Sequence, residues 1–101
     1  MKRRRELPAV RKEQILISGL KMASMHGYQA VTREMVAHDA GVSVGLISKY
    51  FLTMREFKRA IMRAAIERES LDIVAQGVSL HDPQTRKISG TLRSKIKALF
   101  D

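Results

Sequence analysis

Thr32 to Phe51 reads TREMVAHDAGVSVGLISKYF, and the fold turns on how that stretch divides. Thr32 is a good N-cap, because a threonine hydroxyl oxygen accepts a hydrogen bond from a free backbone N–H of a helix's first turn. It predicts a short helix over Arg33–Ala40, with Met35 and Val36 facing inward. Gly41-Val42-Ser43 reads as a tight turn in which Gly41 permits a positive φ, Val42 plugs the core and Ser43 caps the next helix. That helix runs from Val44 to about Phe51, with Ile47 and Phe51 four apart on its inward face. Short helix, three-residue glycine turn, short helix is the helix-turn-helix pattern. Its first helix crosses the sugar-phosphate backbone, and its second enters the major groove, about 12 Å wide, N-terminal side chains foremost. The smallness of Ser43, Gly45 and Ser48 lets that backbone approach base edges.

Upstream, Pro8 suits the first turn of a helix, where its missing N–H is harmless. A helix from about Ala9 to His26 follows, its apolar side supplied by Ile15, Leu16, Leu20, Ala23, Met22 and Met25. Gly27 ends it and Tyr28 folds back as a core aromatic. Downstream, Thr53-Met54-Arg55-Glu56 matches a capping box and opens a long fourth helix to about Gln76. Phe57, Ile61, Ala64, Leu71 and Val74 face the core or its extension. Met62, Ile66 and Ile73 form a second apolar line, which one small core cannot also cover, so a partner surface is expected there. Asp82-Pro83 restarts a last helix, in which Ile88, Leu92, Ile96 and Leu99 make one stripe. Periodicity near 3.6 and sparse glycine and proline make the fold class all-α. The expected architecture is a three-helix headpiece, a long fourth helix and a short C-terminal dimerisation helix. In residue terms, 1–8 is a basic arm, 9–52 the headpiece and 53–101 the dimerisation tail.

The 101 residues allow one domain, or one small domain with an arm. The net charge is +9, from 19 Lys and Arg against 10 Asp and Glu. It sits at the ends: net +5 over 1–12, zero over 13–83 and +4 over 84–101. A polyanion is the implied partner, nucleic acid foremost; mere solubility is the alternative. No run approaches the ~20 apolar residues of a membrane span, and no apolar run of secretory type follows Lys2-Arg3-Arg4-Arg5. With no cysteine, disulfides, thiolate metal sites and cysteine nucleophiles are excluded, and the cytosol is the expected compartment. His26, His38 and His81 fit no metal spacing. Glu67 and Glu69 point to different sides of a helix. No nucleophile elbow or phosphate-binding glycine loop is present, so neither an enzyme nor a cofactor is expected.

Tyr28-Gln29-Ala30-Val31-Thr32, Val36-Ala37, Ala40-Gly41-Val42-Ser43 and Gly45-Leu46-Ile47-Ser48-Lys49-Tyr50-Phe51, in that order, closely resemble the DNA-binding headpiece of the TetR family of bacterial repressors. The likeness runs from about Arg11 to Ile61. It implies that Thr32 and Arg33 touch phosphate or a nearby base, and that Val44, Gly45, Leu46, Ser48 and Lys49 face the groove. It also implies that Tyr50 hydrogen-bonds phosphate. Met54 stands where the family often has lysine, which moves the expected phosphate contact to Arg55 or Lys58. Lys49 either donates to guanine O6 and N7, which prefer a cationic donor, or contacts phosphate. The arm of Arg3, Arg4 and Arg5 either reaches into the minor groove or is a solvated tail.

Family members usually carry a large effector-binding domain, and few residues follow the fourth helix here. The resemblance therefore implies a short repressor without a small-molecule effector, of the kind that suits plasmid or phage genomes. It acts as a homodimer on an inverted-repeat operator in duplex DNA, its interface drawn from Met62, Ile66, Ile73, Ile88, Leu92, Ile96 and Leu99. Two alternatives stand beside it: a ligand-responsive regulator, and an interaction module that pairs with a related regulator through Met62, Ile66 and Ile73.

Overall fold

Each helix of the computed structural model, which describes residues 7–100, starts or stops at a feature of local chemistry. Helix α1 (Pro8–His26) carries Pro8 in its first turn and ends at Gly27, whose N–H donates to the Ala23 carbonyl. Ile15, Ser18, Gly19, Met22 and Ala23 form its buried stripe. Met25, expected on the apolar side, is exposed. A 3-10 turn at Tyr28–Ala30 brings the Tyr28 ring into the core. Thr32 then caps α2 (Arg33–Ala40), its Oγ1 accepting from the Met35 N–H at 3.2 Å.

Gly41 takes a left-handed φ of 68°, and the Val42 N–H donates to the Ala37 carbonyl at 3.0 Å to close α2. Ser43 Oγ accepts from the Leu46 N–H at 3.0 Å and opens α3 (Val44–Tyr50). Ile47 and Phe51, both buried, hold α3 to the core, and the Phe51 ring stacks on Phe57 with centroids 4.9 Å apart. Thr53 Oγ1 accepts from the Glu56 N–H at 3.0 Å at the start of α4 (Met54–Glu67).

The single long helix expected to reach Gln76 is two helices. Helix α4 stops at Glu67, and α5 (Leu71–Ser79) folds back on it. At the break the Glu69 N–H donates to the Ile66 carbonyl at 3.2 Å and the Ser70 N–H to Ala65 at 2.8 Å. This paired closure puts one residue in the left-handed region, and that residue is Glu69, at φ 53°. The same closure ends α5, with His81 at φ 56° and the Asp82 N–H on the Gly77 carbonyl at 2.8 Å.

The last helix also begins later than expected. Asp82 and Pro83 open only a 3-10 turn, Pro83–Thr85, with Asp82 Oδ1 accepting from the Gln84 N–H at 2.8 Å. Helix α6 (Gly90–Ala98) starts after Ser89, whose Oγ accepts from the Leu92 N–H at 3.0 Å.

These two breaks correct the expected dimer surface. Because α5 turns back, the Met62 side chain lies against Gly77, and Met62 and Ile73 are fully buried in the protomer's own core. Leu92 and Ile96 are buried with them as α6 packs on α5. The two apolar sides of α4 are thus covered within one chain, and Met62, Ile73, Leu92 and Ile96 are core residues, not a docking face. Ile66 and Ile88 are half-buried at the core's edge, and Leu99 is 53% exposed.

Candidate nucleic-acid interface

Helix α3 turns one side to the core and the other to solvent. Ile47 is its buried residue, while Leu46 and Tyr50 pack half-buried against the cluster. Ser43, Val44, Gly45 and Lys49 are exposed, and Ser48 is half-exposed. The outward strip is therefore short side chains with one cation at its far end. An ideal Cβ built on Gly45 would meet nothing nearer than Ser43 Oγ at 3.8 Å, and the residue's φ is not positive. Neither packing nor backbone conformation inside the protein calls for glycine at 45, although glycine in a helix costs about 0.5–1 kcal/mol relative to alanine.

The start of α2 and the start of α4 meet beside α3. Thr32, Arg33, Arg55 and Lys58, all expected from the sequence, line one open cleft of about 290 Å3 together with Val31, Glu34 and Met54. Arg33 Nη2 donates to the Leu52 carbonyl at 3.2 Å, which pins the loop after α3 to the start of α2. Arg33 Nε is buried and has no acceptor among the described residues. Lys58 Nζ donates to the Gln29 carbonyl at 3.0 Å and lies 5.7 Å from the centre of the Tyr28 ring. Thr32 and Ser43 each use a lone pair as a cap, which leaves the hydroxyl proton free to donate. The cleft thus gathers hydroxyl, guanidinium and ammonium donors, the set that binds phosphate oxygens. Arg59, one turn beyond Arg55, lines the next cleft with Arg55 and Lys58; the four-residue spacing is its only mark in the sequence.

Two polar locks hold this frame. Ser18, buried on α1, donates to Asp39 Oδ2 at 2.6 Å, and Lys21 Nζ donates to Oδ1 at 2.9 Å. The Ser18 hydroxyl and then Lys21 hold the Asp39 carboxyl below its ordinary range. The Tyr28 hydroxyl donates to the Lys58 carbonyl at 2.9 Å and lies 3.2 Å from Asp82 Oδ2. Burial first, then the Asp82 charge, pushes the phenol's pKa well up. Neither lock is visible as a motif, because each joins residues 18 or more positions apart.

The remaining sequence-derived positions are scattered. Arg3, Arg4 and Arg5 lie outside the described residues. Leu80, Leu99 and Phe100 are exposed apolar side chains, and Leu80 and Phe100 share a cleft with Ala75, Gln76, Ser79 and Gln29. Of the three residues of the expected pairing surface, Met62 and Ile73 are buried and Ile66 is half-buried. Among the described residues no helix is long and apolar enough to cross a membrane, and no three His, Asp or Glu side chains are grouped to hold a metal ion.

The family model for bacterial regulatory proteins, tetR family, matches residues 15–65. No curated protein and no solved structure matches the chain.

Proposed function

The chain belongs to the tetR family of bacterial regulatory proteins, and from that premise we propose that it is a sequence-specific transcriptional repressor. It binds an inverted-repeat operator as a homodimer in the cytoplasm, without a small-molecule effector and without catalysis. Helix α3 lies in the major groove, where Ser43, Val44, Gly45, Leu46, Ser48 and Lys49 meet base edges. Thr32, Arg33, Tyr50, Arg55 and Lys58 hold the flanking phosphates. Such contacts fix register and orientation, and base-edge contacts supply specificity.

The observation that carries this reading is Gly45, a solvent-facing helical glycine that the protein's own packing does not require. Close approach of a flat external surface supplies the missing reason. Dimerisation follows from the size of the reading element. Seven residues of helix span about 10 Å, or about three base pairs at 3.4 Å each. That is too little sequence for one promoter, and a twofold axis doubles it, with half-sites about 34 Å or a multiple apart. The exposed Leu80, Leu99 and Phe100 supply apolar surface for an isologous contact.

Selection from a random duplex pool tests the reading. Recovery of an inverted repeat is expected; recovery of the unselected pool would reject it.

A further inference from the structure

We propose that the tail, and not the headpiece alone, binds the phosphate backbone of the operator duplex, through a cationic track that leads from the start of α4 to α6. This rests on the DNA-binding reading above and extends its footprint to a part of the chain that the family match at 15–65 does not reach.

The track is continuous with the candidate interface. Arg55 and Lys58 line the cleft at the start of α2 and also the neighbouring cleft, which adds Arg59, Asp82, Pro83 and Gln84. Asp82 in turn borders a third cleft, lined by Arg86 and Arg93. Two arginines converge on the Pro83–Thr85 turn from different helices. Arg63 Nε on α4 donates to Gln84 Oε1 at 2.9 Å, and Arg93 Nη2 on α6 reaches the Thr85 carbonyl at 3.5 Å. Both acceptors are uncharged, so these bonds steer the guanidinium groups and leave their charge uncompensated.

Two carboxylates border the track, Glu34 in its first cleft and Asp82 in the other two, against Arg33, Arg55, Lys58, Arg59, Arg86 and Arg93, so the cations outnumber them. Among the described residues the ion pairs are Lys21 with Asp39, Arg68 with Glu13 and Lys95 with Glu69. Of the two acids on the track, Asp82 accepts from the Gln84 N–H and faces the Tyr28 hydroxyl. Arg59, Arg63, Arg86 and Arg93 have no described carboxylate within ion-pairing distance. A run of guanidinium groups without carboxylate partners, two of them oriented by the turn, suits a line of phosphates. Duplex DNA supplies that line at the place where the track begins.

The test is the salt dependence of binding to the selected operator, measured for the full chain. Log affinity falls with log salt by about 0.9 for each phosphate neutralised. Arg86→Gln with Arg93→Gln is expected to lower that slope by about 0.9 for each phosphate these arginines hold, and to leave the preference for operator over random duplex unchanged. Arg86→Lys with Arg93→Lys keeps the charge and restores most of the slope. Arg68→Gln with Lys95→Gln removes the same net charge from ion-paired positions and leaves the slope as in the wild type. An unchanged slope in the first variant overturns the proposal, as does an equal fall in the first and third variants, which marks a net-charge effect. A wild type that selects no operator sinks the reading above as well; a wild type that selects one, beside an unaltered first variant, sinks this inference alone.

Discussion

Tyr28 and Asp82 face each other with the phenol oxygen 3.2 Å from the carboxylate, and the same hydroxyl donates to the Lys58 carbonyl at 2.9 Å. Tyr28 follows α1, Asp82 follows α5 and Lys58 lies in α4. One buried hydroxyl therefore joins the headpiece to the tail that braces it. Asp82 Oδ1 also holds the Pro83–Thr85 turn, so the position of Gln84, and of Arg63 bonded to it, depends on this contact.

Tyr28→Phe keeps the ring and removes the bonds. A buried hydroxyl that bonds a carbonyl and faces a charged group is worth about 1–2 kcal/mol. Thermal unfolding is expected to drop by several degrees, since about 1 kcal/mol corresponds to roughly 4–8 °C in a domain of this size. An unchanged melting temperature would remove the contact from the account.

The Asp39 carboxyl is held below its ordinary range by Ser18 and Lys21. A group whose folded pKa is depressed stabilises the protein above its unfolded pKa, about 3.9 for aspartate, and that stabilisation fades as pH falls through the folded value. The α1–α2 lock is thus expected to be intact at neutral pH and to weaken only in acid. In a carboxyl titration followed by NMR, Ser18→Ala removes the largest cause and moves the Asp39 midpoint upward. An unmoved midpoint would contradict the hydrogen-bond assignment.

Gly45→Ala separates packing from recognition. The site has room for a methyl and helical alanine is favoured by about 0.5–1 kcal/mol, so stability is expected to hold or rise. Operator affinity is expected to fall about tenfold, equivalent to about 1.4 kcal/mol, because the methyl stands between helix and bases. Loss of stability together with affinity would make Gly45 a structural residue.

Lys49 and Tyr50 lie at the far end of the same helix, the first exposed and the second half-buried. Lys49→Ala is expected to reduce discrimination among operator variants; equal losses on all duplexes would make it a phosphate contact. Tyr50→Phe is expected to weaken every duplex alike, by about 1 kcal/mol. Binding isotherms at fixed salt distinguish the two patterns.

Much of the headpiece is legible because its boundaries are written in residues with one physical role. Thr32, Ser43 and Thr53 cap where threonine and serine should, and Gly41 turns where glycine can. The break after α4 is not legible, because Glu69 occupies a left-handed position that sequence patterns assign to glycine or asparagine. That one hidden turn redirects α5 and buries Met62 and Ile73, two residues of the expected dimer face. The clustering of Thr32, Arg33, Arg55 and Lys58 was legible through family likeness. The track through Arg63, Arg86 and Arg93 was not, since it exists only once the Pro83–Thr85 turn packs on α4.

Backbone amide NMR of the chain titrated with its selected operator tests most directly whether α3 reads DNA. The account predicts the largest shifts at Val44, Gly45, Ser48 and Lys49, with smaller ones at Thr32, Arg33 and Arg55 and none at the Ser24–Asp72 contact between α1 and α5. Large shifts confined to other surfaces, with Gly45 and Lys49 unmoved at saturation, would contradict it.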